Sequence, residues 1–98
     1  MRLVKSPTLL RRMREARLKR LRALGFMLAG SLVRLPGHSS LYLTDKVAGK
    51  TRTLYIPLDR LDEVKRWNSE QKLGKRLLAE LSAIQRALLC AEIRARRR

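Results

Sequence analysis

Apolar residues recur along this chain with two different periods, and the change of period divides it into three parts. From Ser6 to about Ala29 they return every three or four positions, the spacing of one helix face. Ser6-Pro7 supplies an N-cap and a proline for the first helical position. On a helical wheel Leu9, Leu10, Met13, Ala16, Leu24, Met27 and Leu28 gather on one side, and Arg11, Arg12, Lys19 and Arg22 lie roughly opposite. Arg17 and Arg20 fall inside the apolar sector, where their stems can snorkel past a neighbour or their guanidinium groups can meet a phosphate or carboxylate. Gly25 either sits in mid-helix, at a cost of about 1 kcal/mol relative to alanine, or ends the helix early; Gly30 is the firmer C-cap.

From about residue 31 to 56 the period becomes two. Ser31–Leu35 is a short apolar-rich run suited to a strand, and the composition of Pro36–Ser40, with His38 in it, is that of a turn. Leu41–Ile56 reads as a hairpin turning at Ala48-Gly49 or at Gly49-Lys50, which differ in register by two but leave the faces unchanged. One face carries Leu41, Leu43, Val47, Leu54 and Ile56 as core. The other carries Tyr42, Thr44, Lys46, Thr51, Thr53 and Tyr55.

After Pro57 the helical period returns, with Asp59, Asp62 and Glu63 in the opening turns, where carboxylates complement the helix dipole. The stripe starts at Leu61, Val64 and Trp67 and weakens at Asn68-Ser69-Glu70 and Gly74, a candidate break. It resumes as Leu77, Leu81, Ile84, Leu88 and Ala91, in coiled-coil spacing. That seam invites the first helix folded back antiparallel, or a second copy; the expectation is a dimer through Leu77, Leu81, Ile84 and Leu88. The pattern predicts one small α+β domain over residues 1–98: a basic helix over about 7–29, a β-meander over about 31–56 and a long helix over about 58–95.

Charge changes what this fold is expected to do. The chain holds 24 Lys+Arg against 8 Asp+Glu, a formal +16 on 98 residues. Self-repulsion at that density opposes compaction, so a polyanion or an acidic partner is expected to stabilise the fold. A lone cysteine, Cys90, excludes an intramolecular disulfide and suits the reducing cytoplasm. No uninterrupted apolar stretch approaches a membrane span. Catalysis finds little support: one His, one Cys, no HExxH, GxSxG or P-loop pattern, and too few ligands for structural zinc. No cofactor is expected.

The runs Gly30-Ser-Leu-Val-Arg, Gly49-Lys-Thr-Arg-Thr-Leu-Tyr-Ile-Pro and Val64-Lys-Arg-Trp resemble a family of short bacterial and archaeal proteins of unknown function, met beside transposase and other mobile-element genes. The likeness covers roughly residues 30–88. Many relatives carry a cysteine-rich insert followed by His-Gly-Pro-Tyr-Tyr where this chain has Leu35–Leu41, so no metal role carries over. The resemblance implies a helix–hairpin–helix architecture and a mobile-element setting in a bacterial, archaeal or phage-host cell, not a reaction.

The expected function is therefore non-catalytic binding of DNA or RNA, as an accessory to a larger nucleoprotein machine such as a transposase. Arg11, Arg12, Lys19 and Arg22, with Arg94, Arg96 and Arg97, would hold phosphates. Tyr42 and Tyr55, with Lys46, Lys50 and Arg52, would offer stacking platforms beside cations. A second class is a helical adaptor docking on an acidic protein.

Overall fold

In the computed structural model, which describes residues 5–37 and 39–97, the order of elements is α1 (Pro7–Arg22), β1 (Ser31–Arg34), β2 (Leu41–Val47), β3 (Lys50–Tyr55) and α2 (Leu61–Arg96). The expected α+β class holds. The expectations for a loose basic start over residues 1–4, for His38 in its turn and for the terminal Arg98 lie outside the described residues. The chain divides into two compact units: one joins the segment through Leu24 to the segment from Gly74 onward, and the other is Gly25–Leu73. α2 runs through both, with no break at Asn68-Ser69-Glu70 or Gly74.

In the helical unit α1 starts where its cap dictates. The Ser6 hydroxyl accepts from the Leu9 N–H at 3.2 Å, and Pro7 takes the first helical position, where a missing N–H costs nothing. The helix stops at Arg22 rather than near Ala29. The Ala23 N–H reaches back to the Lys19 and Arg20 carbonyls and the Leu24 N–H to the Leu21 carbonyl, all at 3.2 Å, and the backbone from Gly25 onward is bonded elsewhere. The buried face is also turned from the expected one. Leu10 is buried and Met13, Leu18 and Leu21 are half-buried, whereas Leu9 and Ala16 are exposed. Leu10, Ile84 and Leu88 form the core, with Met13 against it. The seam of α2 thus meets α1 of the same chain.

The second unit is an antiparallel meander in the order β1-β2-β3. Ala48 and Gly49 both take left-handed backbone, at φ 53° and 79°, as a two-residue type I′ turn requires. This turn sets Tyr42 against Tyr55, Thr44 against Thr53 and Asp45 against Arg52, the first of the two expected registers. β1 adds as the third strand, with Leu32 against Leu43 and Val33 against Tyr42. Leu43, Ile56 and Val64 form the core, closed by Leu28, Leu32, Leu61 and Trp67. Two residues assigned to the core face stay open: Leu54 is 57% exposed and Val47 47%.

Beyond Leu24 the stretch 25–30 is held by α2 through its backbone. The Leu28 N–H donates to the Trp67 carbonyl at 3.1 Å and the Gly25 N–H to a Glu70 carboxylate oxygen at 3.3 Å. Asn68, buried on the apolar side of α2, donates through Nδ2 to the carbonyls of Leu28 at 3.0 Å and Gly30 at 2.8 Å. Gly30 itself sits at φ 125°, and a Cβ there would lie 2.8 Å from the Thr44 carbonyl oxygen.

Two outcomes follow for stability. Asn68→Ala strands two carbonyls and should cost about 2 kcal/mol in urea unfolding, and Asn68→Asp more at neutral pH because a carboxylate cannot donate; a loss below about 0.5 kcal/mol, the size of an ordinary surface change, would show that Asn68 does not hold the loop. Ala48→Asn should raise stability by about 0.5–1 kcal/mol in thermal unfolding, since asparagine tolerates the left-handed position that alanine resists.

Candidate nucleic-acid interface

The charge is divided very unevenly between the two units. The segments 1–24 and 74–98 hold sixteen basic and three acidic residues, a net +13, whereas 25–73 holds eight and five, a net +3. The helical unit is the electrostatic one.

Within it Arg11, Arg12, Lys19 and Arg22 are exposed on the side of α1 turned away from its core, spread over about 16 Å of helix axis. Arg20, which the wheel placed in the apolar sector, is exposed too. Among the described residues none of these five forms an ion pair; the pairs on this unit are Arg14 with Glu15 at 3.9 Å and Arg17 with Glu80 at 3.3 Å. Arg17 owes its place near the core to Glu80, and Arg14 donates to the Gln85 side-chain oxygen at 3.0 Å. A B-form duplex carries about ten phosphate charges over 16 Å, so unpaired cations spread over such a length can neutralise several of them. Arg94, Arg96 and Arg97 are exposed at the end of α2, where cations also offset the helix dipole.

The hairpin residues do not all come together. Tyr42, Thr44 and Lys46 share a face with Tyr55, Thr53 and Thr51, because directly paired residues point the same way. Lys50 and Arg52 pair with Val47 and Asp45 and so belong to the other face, with Leu43 and Leu54. Alternation along Lys50–Tyr55 carried that signal in the sequence. Tyr42 and Tyr55 meet edge to face, ring centres 5.8 Å apart; Tyr55 is 52% exposed and Tyr42 half-buried. One hairpin cation, Lys46, therefore shares the tyrosines' face, four residues along β2 from Tyr42, and it is exposed. Arg52 is committed to Asp45 by two bonds, Nε to Oδ1 at 3.0 Å and Nη2 to Oδ2 at 2.6 Å.

Of the four seam residues named for a dimer, Ile84 and Leu88 pack with Leu10 of α1, Leu77 is buried and Leu81 is half-buried. Cys90 is exposed on α2. Among the described residues no three of His, Cys, Asp and Glu gather as metal ligands would, and no helix is long and apolar enough to cross a membrane. Compared with protein-family models, curated proteins and solved structures, the chain matches none, so the family resemblance rests on the three runs at Gly30–Arg34, Gly49–Pro57 and Val64–Trp67.

The bidentate hydrogen bond from Arg52, aided by its charge, holds the Asp45 carboxyl below the usual carboxylate range. A lowered folded pKa means that the pair's stabilisation is present above the ordinary carboxylate pKa and is lost as pH falls through the lowered value. Carboxyl NMR titration should place Asp45 below the ordinary aspartate range, and Arg52→Gln should bring it back up toward that range.

Proposed function

We propose that this protein is a non-catalytic nucleic-acid-binding accessory that attaches to DNA or RNA through phosphates, working in the cytoplasm within a larger nucleoprotein machine of a mobile element, such as a transposase complex. The observation that carries the reading is the unpaired cationic face of α1 on a unit of net +13. Counterion release from phosphates rewards such a face without any reading of bases, so affinity is expected to be sequence-independent and steeply salt-dependent. Arg94, Arg96 and Arg97 add a second cluster on the same unit. Tyr42, Tyr55 and Lys46 are a secondary surface, on which an unpaired base can stack against the exposed ring of Tyr55. The mobile-element setting comes from the resemblance carried by the runs at Gly30–Arg34, Gly49–Pro57 and Val64–Trp67.

The test is binding to duplex DNA, single-stranded DNA and RNA across a salt series. Reversing Arg11, Arg12, Lys19 and Arg22 to Glu should flatten the slope of log affinity against log salt by roughly three to four on duplex DNA, at about 0.9 for each phosphate no longer neutralised. An unchanged slope with the fold intact overturns the assignment of these four residues. Absence of binding by the unaltered protein at low salt overturns the function.

A further inference from the structure

The helical unit has a second feature, which shares only Arg94 with the proposed phosphate surface. On one flank α1 and α2 are joined by Arg14 and Gln85; elsewhere on the unit they enclose an open groove of about 440 Å³. Its wall on α2 is made of Ala83, Ala87 and Ala91, one turn apart, and its floor of Leu10, Met13 and Ile84. The rim is charged: Lys5, Arg17 and Arg94 as cations, and Glu80 as the one acid, already engaged by Arg17. Leu10 and Ile84 are buried, and the alanines leave a trough where larger side chains would have filled the surface.

We infer that this groove docks an acidic amphipathic helix of a partner protein, which lays its apolar stripe on the alanines and its carboxylates against Lys5 and Arg94. Three considerations choose that occupant. Alanines at successive turns let a helix backbone approach closely, with apolar anchors at i, i+3/i+4 and i+7 lying along the trough. The rim cations not held by Glu80, Lys5 and Arg94, call for acidic residues on the incoming helix. A second copy of this chain is disfavoured, because its own helical unit carries the same +13. Nucleic acid is a poor fit to the trough itself, whose floor and alanine wall are aliphatic side chains that neither stack on nor hydrogen-bond a base. The groove thus gives the protein a way to attach to its assembly through protein contacts while the arginine face of α1 remains free for phosphates.

The probe is a labelled synthetic helical peptide of about sixteen residues, or ~24 Å of helix, with leucines at helix-face spacing and glutamates elsewhere. A scrambled peptide of the same composition is the control, so that net charge is identical. Fluorescence anisotropy is read at about 0.3 M salt, where attraction between distant charges is screened. The patterned peptide should bind at least roughly tenfold more tightly than the scrambled one. Ala87→Phe, which fills the trough from an exposed position, should remove that preference while circular dichroism stays unchanged. Arg94→Glu, a surface change that leaves the core untouched, should weaken the patterned peptide severalfold. Equal binding of the two peptides, or a preference that survives Ala87→Phe in a folded protein, overturns the proposal. Binding of oleate with the same sensitivity to Ala87→Phe, without peptide preference, would assign the groove to an anionic lipid instead. None of these readings depends on DNA or RNA, so the groove and the phosphate face stand or fall separately.

Discussion

Like-charge repulsion is the constraint that the helical unit has to overcome. Within α1 alone, four pairs of cations sit three residues apart: Arg11/Arg14, Arg14/Arg17, Arg17/Arg20 and Lys19/Arg22. At about 0.2–0.5 kcal/mol each, they oppose the helix by roughly 1–2 kcal/mol. Ion pairing does not offset this, since Arg17–Glu80 and Arg14–Glu15 are partly exposed and such pairs contribute about 0–1 kcal/mol. Burial does. Leu10, Ile84 and Leu88, each removed almost wholly from water, contribute about 1.5–3 kcal/mol apiece. Leucines hold the arginines together, and the arginines are arranged where the leucines leave them exposed.

The sheet unit solves a different problem, that of ending a helix and turning the chain into a strand. Asn68 is its central device. A buried amide with two donors satisfies two carbonyls of a loop that would otherwise carry its polar backbone against an apolar surface. The same side chain explains why α2 continues through a stretch where its stripe weakens: the polar residue faces inward because it has work for both of its hydrogens. Gly30, at a φ few residues other than glycine adopt and against the Thr44 carbonyl, lets the loop pass directly into β1.

Local chemistry was legible in the sequence, and long-range partnership was not. The Ser6-Pro7 cap and the α2 seam rest on rules acting within a few residues or on a strong period and are found as read, and the hairpin takes one of the two registers that its turn residues allowed. The end of α1 at Arg22 lies nearer the early stop that Gly25 offered than the favoured one near Ala29, and the sequence could not decide between them because the bonds that hold 25–30 come from α2, about forty residues away. The rotated face of α1 was obscured by Leu9 and Ala16, apolar residues that the structure leaves exposed, while Leu18 and Leu21 marked the buried side. The separation of Lys50 and Arg52 from the tyrosines needed only the alternation already used for the leucines. Ala83, Ala87 and Ala91 were visible at four-residue spacing, but a shallow stripe becomes a trough only when α1 supplies its other wall.

On the proposed reading, one helix serves two partners, and the coupling between them has a definite sign. Met13 and Arg17 border the groove, whereas Arg12 and Lys19 lie more than 90° around α1 from them. Across a helix of about 10–12 Å diameter, the direct Coulomb competition between a bound polyanion and a bound acidic helix is largely screened at physiological ionic strength, where the Debye length is about 8 Å. The relief of internal repulsion is not screened in the same way, because either ligand binds only the folded helix pair and so stabilises it. Whatever part of the free energy of binding goes into ordering α1 against α2 is spent by the first partner and spared to the second. Neutralising one face therefore favours, rather than opposes, occupation of the other. That arrangement suits a protein whose fold and whose attachments draw on the same excess of positive charge.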